Sequence, residues 1–295
     1  MKINLRITWI AVFLVFGFTA KAATKRILVV GDSWAAGMTH QLLGAIFDRT
    51  LKTNGFKDIA VLATDQTAMP GSHAAWWAAN QEHKLDHLRQ TLETNSSIDI
   101  VFIVLGGADF LLKATQTNLA QISLAERTKI WRGIATNLQT IAHEVLLVRP
   151  HLKVVLCDYD YLNLEKTKTS FLKWDYHGIS QADFNRCFVE LGREKRALAE
   201  QNSRILYVQN WGVLQNKFSR QEDAKKFPLP GGPPKYDPYP GGDPIQPSPA
   251  EAFFQIGLND GVHPNAEGYQ RIIENCLKQG LGAMLKAGET NSAAK

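Results

Sequence analysis

The 295-residue chain is 45% hydrophobic and 21% charged, which excludes wholesale disorder and supports one large domain or two small ones with a sizeable core. Its formal net charge is +5, with Lys and Arg scattered among acids, so no nucleic-acid footprint is visible. The basic stretch Arg193-Glu194-Lys195-Arg196 reads as the solvated face of a helix.

Lys2 and Arg6 open the chain, and an almost unbroken apolar run follows from Ile7 to Phe18. Ala20-Lys21-Ala22 then places small residues where a signal peptidase reads. Residues 1–22 therefore have the layout of a cleavable secretory signal. The rival reading is a membrane anchor, but the run falls short of the roughly 20 residues that span a bilayer. Removing residues 1–22 takes away Lys2, Arg6 and Lys21 and lowers the net charge from +5 to +2. The mature protein is expected in the periplasm or outside the cell, with no membrane span after cleavage.

Residues 23–288 read as a single domain, and 289–295 as a disordered tail. Arg26–Gly31 is a short apolar run ending in Gly, a buried strand. A helical stretch covers Thr39–Lys52, and Ile59–Ala63 is a second strand. Ser72 to about Glu93 reads as helix; Trp76 and Trp77 follow its start, at least one of them as core packing. Asp99–Leu105 is the strongest strand. Ser123 to about Val145 is a long helix, with Ser123 and Glu126 spaced as a capping box. Lys153–Cys157 and Ile205–Gln209 are the fourth and fifth strands, and Ser180 to about Gln201 is the helix between them. Pro264 to about Leu285 is the last helix, with Pro in its first turn. Continuous apolar strands alternating with helices imply a five-stranded parallel sheet covered on both faces, an α/β/α sandwich of flavodoxin-like order. Two segments break the alternation. Residues 159–179 are rich in aromatics (Tyr159, Tyr161, Phe171, Trp174, Tyr176), a substrate wall or a small satellite core. Residues 227–249 are dense in Pro and Gly, a rim or lid, or else a disordered link.

Ligands of such sheets bind beyond the carboxyl ends of the strands. Ser33, in Gly31-Asp32-Ser33-Trp34, sits at one such end and at a helix start, as nucleophile or as helix cap. Asp260-Gly261-Val262-His263-Pro264 lies before the last helix. A serine hydroxyl needs a base, usually His, and a carboxylate can hold that His in the right tautomer. Ser33, His263 and Asp260 are therefore the candidate catalytic set. His83 and His87 are four apart, but no Glu stands between them as in the zinc-protease arrangement, and no metal is expected. Cys157, Cys187 and Cys276 have no metal spacing; Cys157 with Cys187 is the preferred disulfide, and Cys276 reads as a small buried residue of a helix.

Taken together, Gly31-Asp32-Ser33, Pro70-Gly71-Ser72 and the Asp260–Pro264 block followed by Asn265-Ala266-Glu267-Gly268-Tyr269 resemble the GDSL, or SGNH, hydrolase family in order and spacing. The resemblance implies a serine esterase or lipase that forms an acyl-enzyme on Ser33 and needs no cofactor. It also implies an oxyanion hole with the amides of Ser33 and Gly71. The family's Gly-x-Asn-Asp block appears here as Gly106-Gly107-Ala108-Asp109, so Ala108 stands where an Asn donor is usual. Asn163, Asn259 and Asn80 are open as substitutes, and Asp109 is expected to brace the loop. Trp34, Ala108, Trp174 and Tyr176 are candidate substrate-binding residues, and His177 could touch substrate. The substrate is a small-molecule, lipid or acylated-glycan ester. Two alternatives stay open: an envelope polysaccharide acetylesterase or acyltransferase, and a catalytically impaired binding protein on the same fold.

Overall fold

The computed structural model describes residues 23–39, 45–170, 173–220, 222, 224–255 and 259–292. The expected signal peptide, residues 1–22, and Phe171 lie outside the described residues. No helix among the described residues is long and apolar enough to cross a membrane.

The apolar runs form β1 (Thr24–Gly31), β2 (Ile59–Leu62), β3 (Ile100–Val104), β4 (Lys153–Cys157) and β5 (Ile205–Val208). They pair in parallel in the order β2-β1-β3-β4-β5. β3 lies in the middle and is buried at every residue, which is why it reads as unbroken apolar sequence. Helices α1 (Ser33–Thr39), α2 (Ile46–Thr53) and α10 (Ala266–Cys276) pack together. A second group is α3 (Ala74–Ala78), α4 (Lys84–Thr94), α6 (Leu124–Val148) and α8 (Gln181–Ala199). The result is a three-layer α/β/α sandwich.

Several elements differ from expectation. The helix expected over Ser72–Glu93 is split, because Asn80, Glu82 and His83 take φ of 51°, 51° and 59°. Asn80 turns the chain there, and its side-chain oxygen accepts from Leu85 N at 2.8 Å. Helices α5 (Gly107–Gln116), α7 (Leu164–Thr169) and α9 (Val213–Phe218) were not anticipated. The capping box on α6 is present: Glu126 N donates to Ser123 Oγ, and Ser123 N donates to Glu126 Oε2. Pro264 lies ahead of the last helix rather than in its first turn, because Asn265 is the cap and accepts from Gly268 N at 2.9 Å. The chain then continues through Leu277–Leu281 into α11 (Gly282–Ser292), which reaches into the segment expected as a tail.

Lys195 is not on a solvated face. It is buried and pairs with Asp158 at 2.9 Å, because α8 turns that position toward the carboxyl end of β4. The expected Cys157–Cys187 bridge is absent; all three cysteines are free. Cys157 ends β4 on the side of α10, where its Sγ lies 3.7 Å from that of Cys276, while Cys187 belongs to α8 in the other helical group.

Candidate active site

Ser33, His263 and Asp260 meet at the carboxyl edge of the sheet. Ser33 begins α1 directly after β1. It is not the cap of that helix: Asp32 Oδ1 takes the role by accepting from Trp34 N at 2.9 Å, which leaves the Ser33 hydroxyl to His263 Nε2 at 2.7 Å. His263 Nδ1 lies 2.5 Å from Asp260 Oδ2. Asp260 is fully buried, and its Oδ1 accepts from Val262 N and His263 N, both at 2.9 Å. Burial pushes this carboxyl up, but the His263 ring and the two amides outweigh it and hold it below the usual carboxylate range. An ionised Asp260 can only accept, so Nδ1 carries the proton and Nε2 is free to accept from Ser33.

The loop after β2 brings Gly71 into the same cavity as Ser33 and Ala108. Gly71 has φ 76°, a left-handed turn that an L side chain would strain. Its amide finds no hydrogen-bond partner among the described residues. Asp109 braces this loop, as its Oδ2 and Oδ1 accept from Ala74 N at 2.8 Å and Ala75 N at 3.4 Å. Ala108 lines the cavity and supplies no side-chain donor. None of the three asparagines considered as substitutes lines the cavity. Asn163 caps α7, Asn80 caps the turn before α4, and Asn259 is exposed.

The cavity has a volume of about 670 Å³, within the roughly 300–1,000 Å³ of small-ligand sites. Its walls are mostly apolar: Trp34, Leu111, Leu112, Leu162, Trp174, Phe188, Phe254, Val262 and Tyr269. Trp34 is 1% exposed, and its Nε1 donates to Val262 O at 3.0 Å, so it also ties α1 to the His263 loop. Trp174 lines the wall. Tyr176 does not; it is buried against Trp174 and Phe184. His177 turns away, its Nε2 2.9 Å from Thr115 O. Residues 227–249 also stand outside the cavity and are no lid to it. They cap the β5 end of the sheet instead, where Tyr236 donates to Tyr207 O and Gln209 donates to Gly231 O and Pro238 O. Trp77 is core, and Trp76 is exposed and packs on His73.

Sequence reasoning missed Leu111, Leu112 and Thr115, since it placed no helix after Ala108. A spacing signal was present: Phe110 and Ala114 mark the buried face of α5, and Leu111 and Thr115 the cavity face beside it. It also missed His73, Phe188, Phe254, Tyr269 and the role of Tyr159, whose hydroxyl donates to Asp32 Oδ2. Burial pushes Asp32 up to about 6, against the lowering effect of that hydroxyl and the Trp34 amide. Among the described residues no group of three or more His, Cys, Asp or Glu is placed to hold a metal ion.

No protein-family model matches the sequence, and no curated protein matches it. Solved structures do resemble the fold. An acetyl esterase variant with an acetate ion aligns over 90% of this chain and 100% of its own, at 10% identity and TM-score 0.51. A protein described as a GDSL-like lipase from Parabacteroides merdae aligns over 88% of this chain and 96% of its own, at 13% identity and TM-score 0.50. The chain has the SGNH/GDSL-hydrolase fold.

Proposed function

We propose that this chain is an exported serine hydrolase of the SGNH/GDSL type that cleaves carboxylic esters carrying an apolar acyl group. The observation that carries the reading is the hydrogen-bond chain from Ser33 through His263 to Asp260, opening onto an apolar cavity. Ser33 Oγ attacks the acyl carbon while His263 Nε2 takes its proton, and Asp260 stabilises the imidazolium that forms. The amides of Ser33 and Gly71 receive the oxyanion. His263 returns the proton to the departing alcohol, and a water activated by the same ring releases the acid. The export pattern of residues 1–22 supports a periplasmic or secreted enzyme.

Leu111, Leu112, Leu162 and Phe254 offer an acyl chain an apolar wall, with His73 and Thr115 as the polar side chains beside it. That supports an acyl ester over an acetylated polysaccharide. The test is hydrolysis of nitrophenyl esters from acetate to decanoate by the mature protein and by Ser33→Ala. The variant is expected to lose at least about 1,000-fold in kcat, and kcat/KM to rise with acyl length. Equal rates for the two proteins sink the reading. A maximum at acetate replaces it with the acetylesterase, and no turnover with no fluorophosphonate labelling of Ser33 replaces it with a binding protein.

A further inference from the structure

Tyr159 follows β4, and its side chain reaches across the sheet edge to the end of the neighbouring strand β3 and, beyond it, to the end of β1. Its hydroxyl donates to Asp32 Oδ2, and Asp32 Oδ1 accepts from Trp34 N at 2.9 Å, so the bond reaches the first turn of α1. Its ring sits on Gly107: a Cβ there would collide with the ring carbons, so only glycine leaves room. The ring is fixed from the other sides by Trp34 at 5.0 Å and Phe188 at 5.5 Å between centroids, with the Lys195 ammonium 4.8 Å from its centre. Tyr159 is 2% exposed, yet it lines the cavity beside Ser33, Gly107 and Ala108.

We propose that Tyr159 is a positioning residue that locks the Ser33 turn to the Gly107–Ala108 turn and so sets the oxyanion side of the site, where this chain lacks the usual asparagine. The proposal rests on the hydrolase reading above. With no carboxamide at 108, stabilisation of the oxyanion falls to main-chain amides, whose aim depends on how the two turns are held. The Tyr159 side chain touches both.

The experiment compares wild type, Tyr159→Phe, Gly107→Ala and Ser33→Ala on a nitrophenyl ester, with kcat and KM measured and a thermal melt of each. Tyr159→Phe is expected to lower kcat about 10- to 100-fold with KM within about threefold, since small misplacements act on the transition state. Gly107→Ala keeps the hydroxyl but displaces the ring, and the same fall in kcat is expected; it carries the test if the Phe variant does not fold. A Tyr159→Phe protein with a lower melting temperature but wild-type kcat overturns the proposal while Ser33→Ala is inactive. If Ser33→Ala matches wild type, the hydrolase reading itself has failed, and this proposal fails with it.

Discussion

Ala108 lines the cavity beside Ser33 and Gly71 with a methyl group where the SGNH/GDSL pattern has a donor. One such donor is typically worth roughly 100- to 1,000-fold in turnover. Ala108→Asn is therefore expected to raise kcat at least about 10-fold with little change in KM, since an oxyanion forms only beyond the ground state. Steady-state kinetics decide it. An unchanged or lower kcat would mean that the amides already fill the hole or that residue 108 is misaligned. At this scale the sequence was legible where chemistry forces close spacing. Asp260 and His263 are three apart because one carboxylate binds both the ring and its own backbone amides. It was not legible where reach depends on the path of a segment. Trp174 and Tyr176 are two apart in one aromatic stretch, yet Trp174 lines the cavity and Tyr176 packs into the main core against Phe184. Aromatic density announces burial, not the side to which a ring turns.

Among the elements, the strands were readable because burial on both faces demands unbroken apolar runs, and β4 falls on the residues expected, Lys153–Cys157. The short helices around the site were read less well: α5 and α7 were not anticipated, and α3 was merged with α4 into one helix although its cap comes from a distant position. Helix α3 shows this most clearly. It has five residues, and its N-cap His73 makes no capping bond. The cap comes from Asp109, across the cavity on α5, through Ala74 N and Ala75 N. Asp109→Ala is expected to cost about 1–2 kcal/mol of stability, read from urea unfolding. It should also slow fluorophosphonate labelling of Ser33, because the loop that carries Gly71 leads directly into α3. Full stability with slowed labelling would locate the effect in the loop alone, and no change in either would remove Asp109 from the account.

Across the molecule, stability varies with pH through carboxyls in the site, Asp260 and Asp32, and outside it, Glu190 on α8. Asp260 and Glu190 are held below their ordinary values, Glu190 by Arg127 and Trp131 against the opposing effect of burial. Their contribution is present above the unfolded carboxylate value of about 4 and is lost as pH falls through the folded value. Asp32 has the opposite sign. Burial raises it from 3.8 to about 6, so the folded protein holds a proton that the unfolded chain releases in that window. Its contribution is present below the unfolded value and is lost as pH rises to about 6, after which the folded state carries a buried charge. A gap of that size is worth roughly 3 kcal/mol at most. Asp32→Asn keeps an acceptor for Trp34 N and removes the charge. The variant is therefore expected to melt higher than wild type at about pH 8, with the difference shrinking toward about pH 4, where wild-type Asp32 is protonated as folded. Paired thermal melts at the two pH values measure it. A difference that does not change with pH would mean that Tyr159 and Lys195 keep Asp32 charged throughout, and that the Ser33 turn is held by a standing ion rather than by a carboxyl poised to titrate.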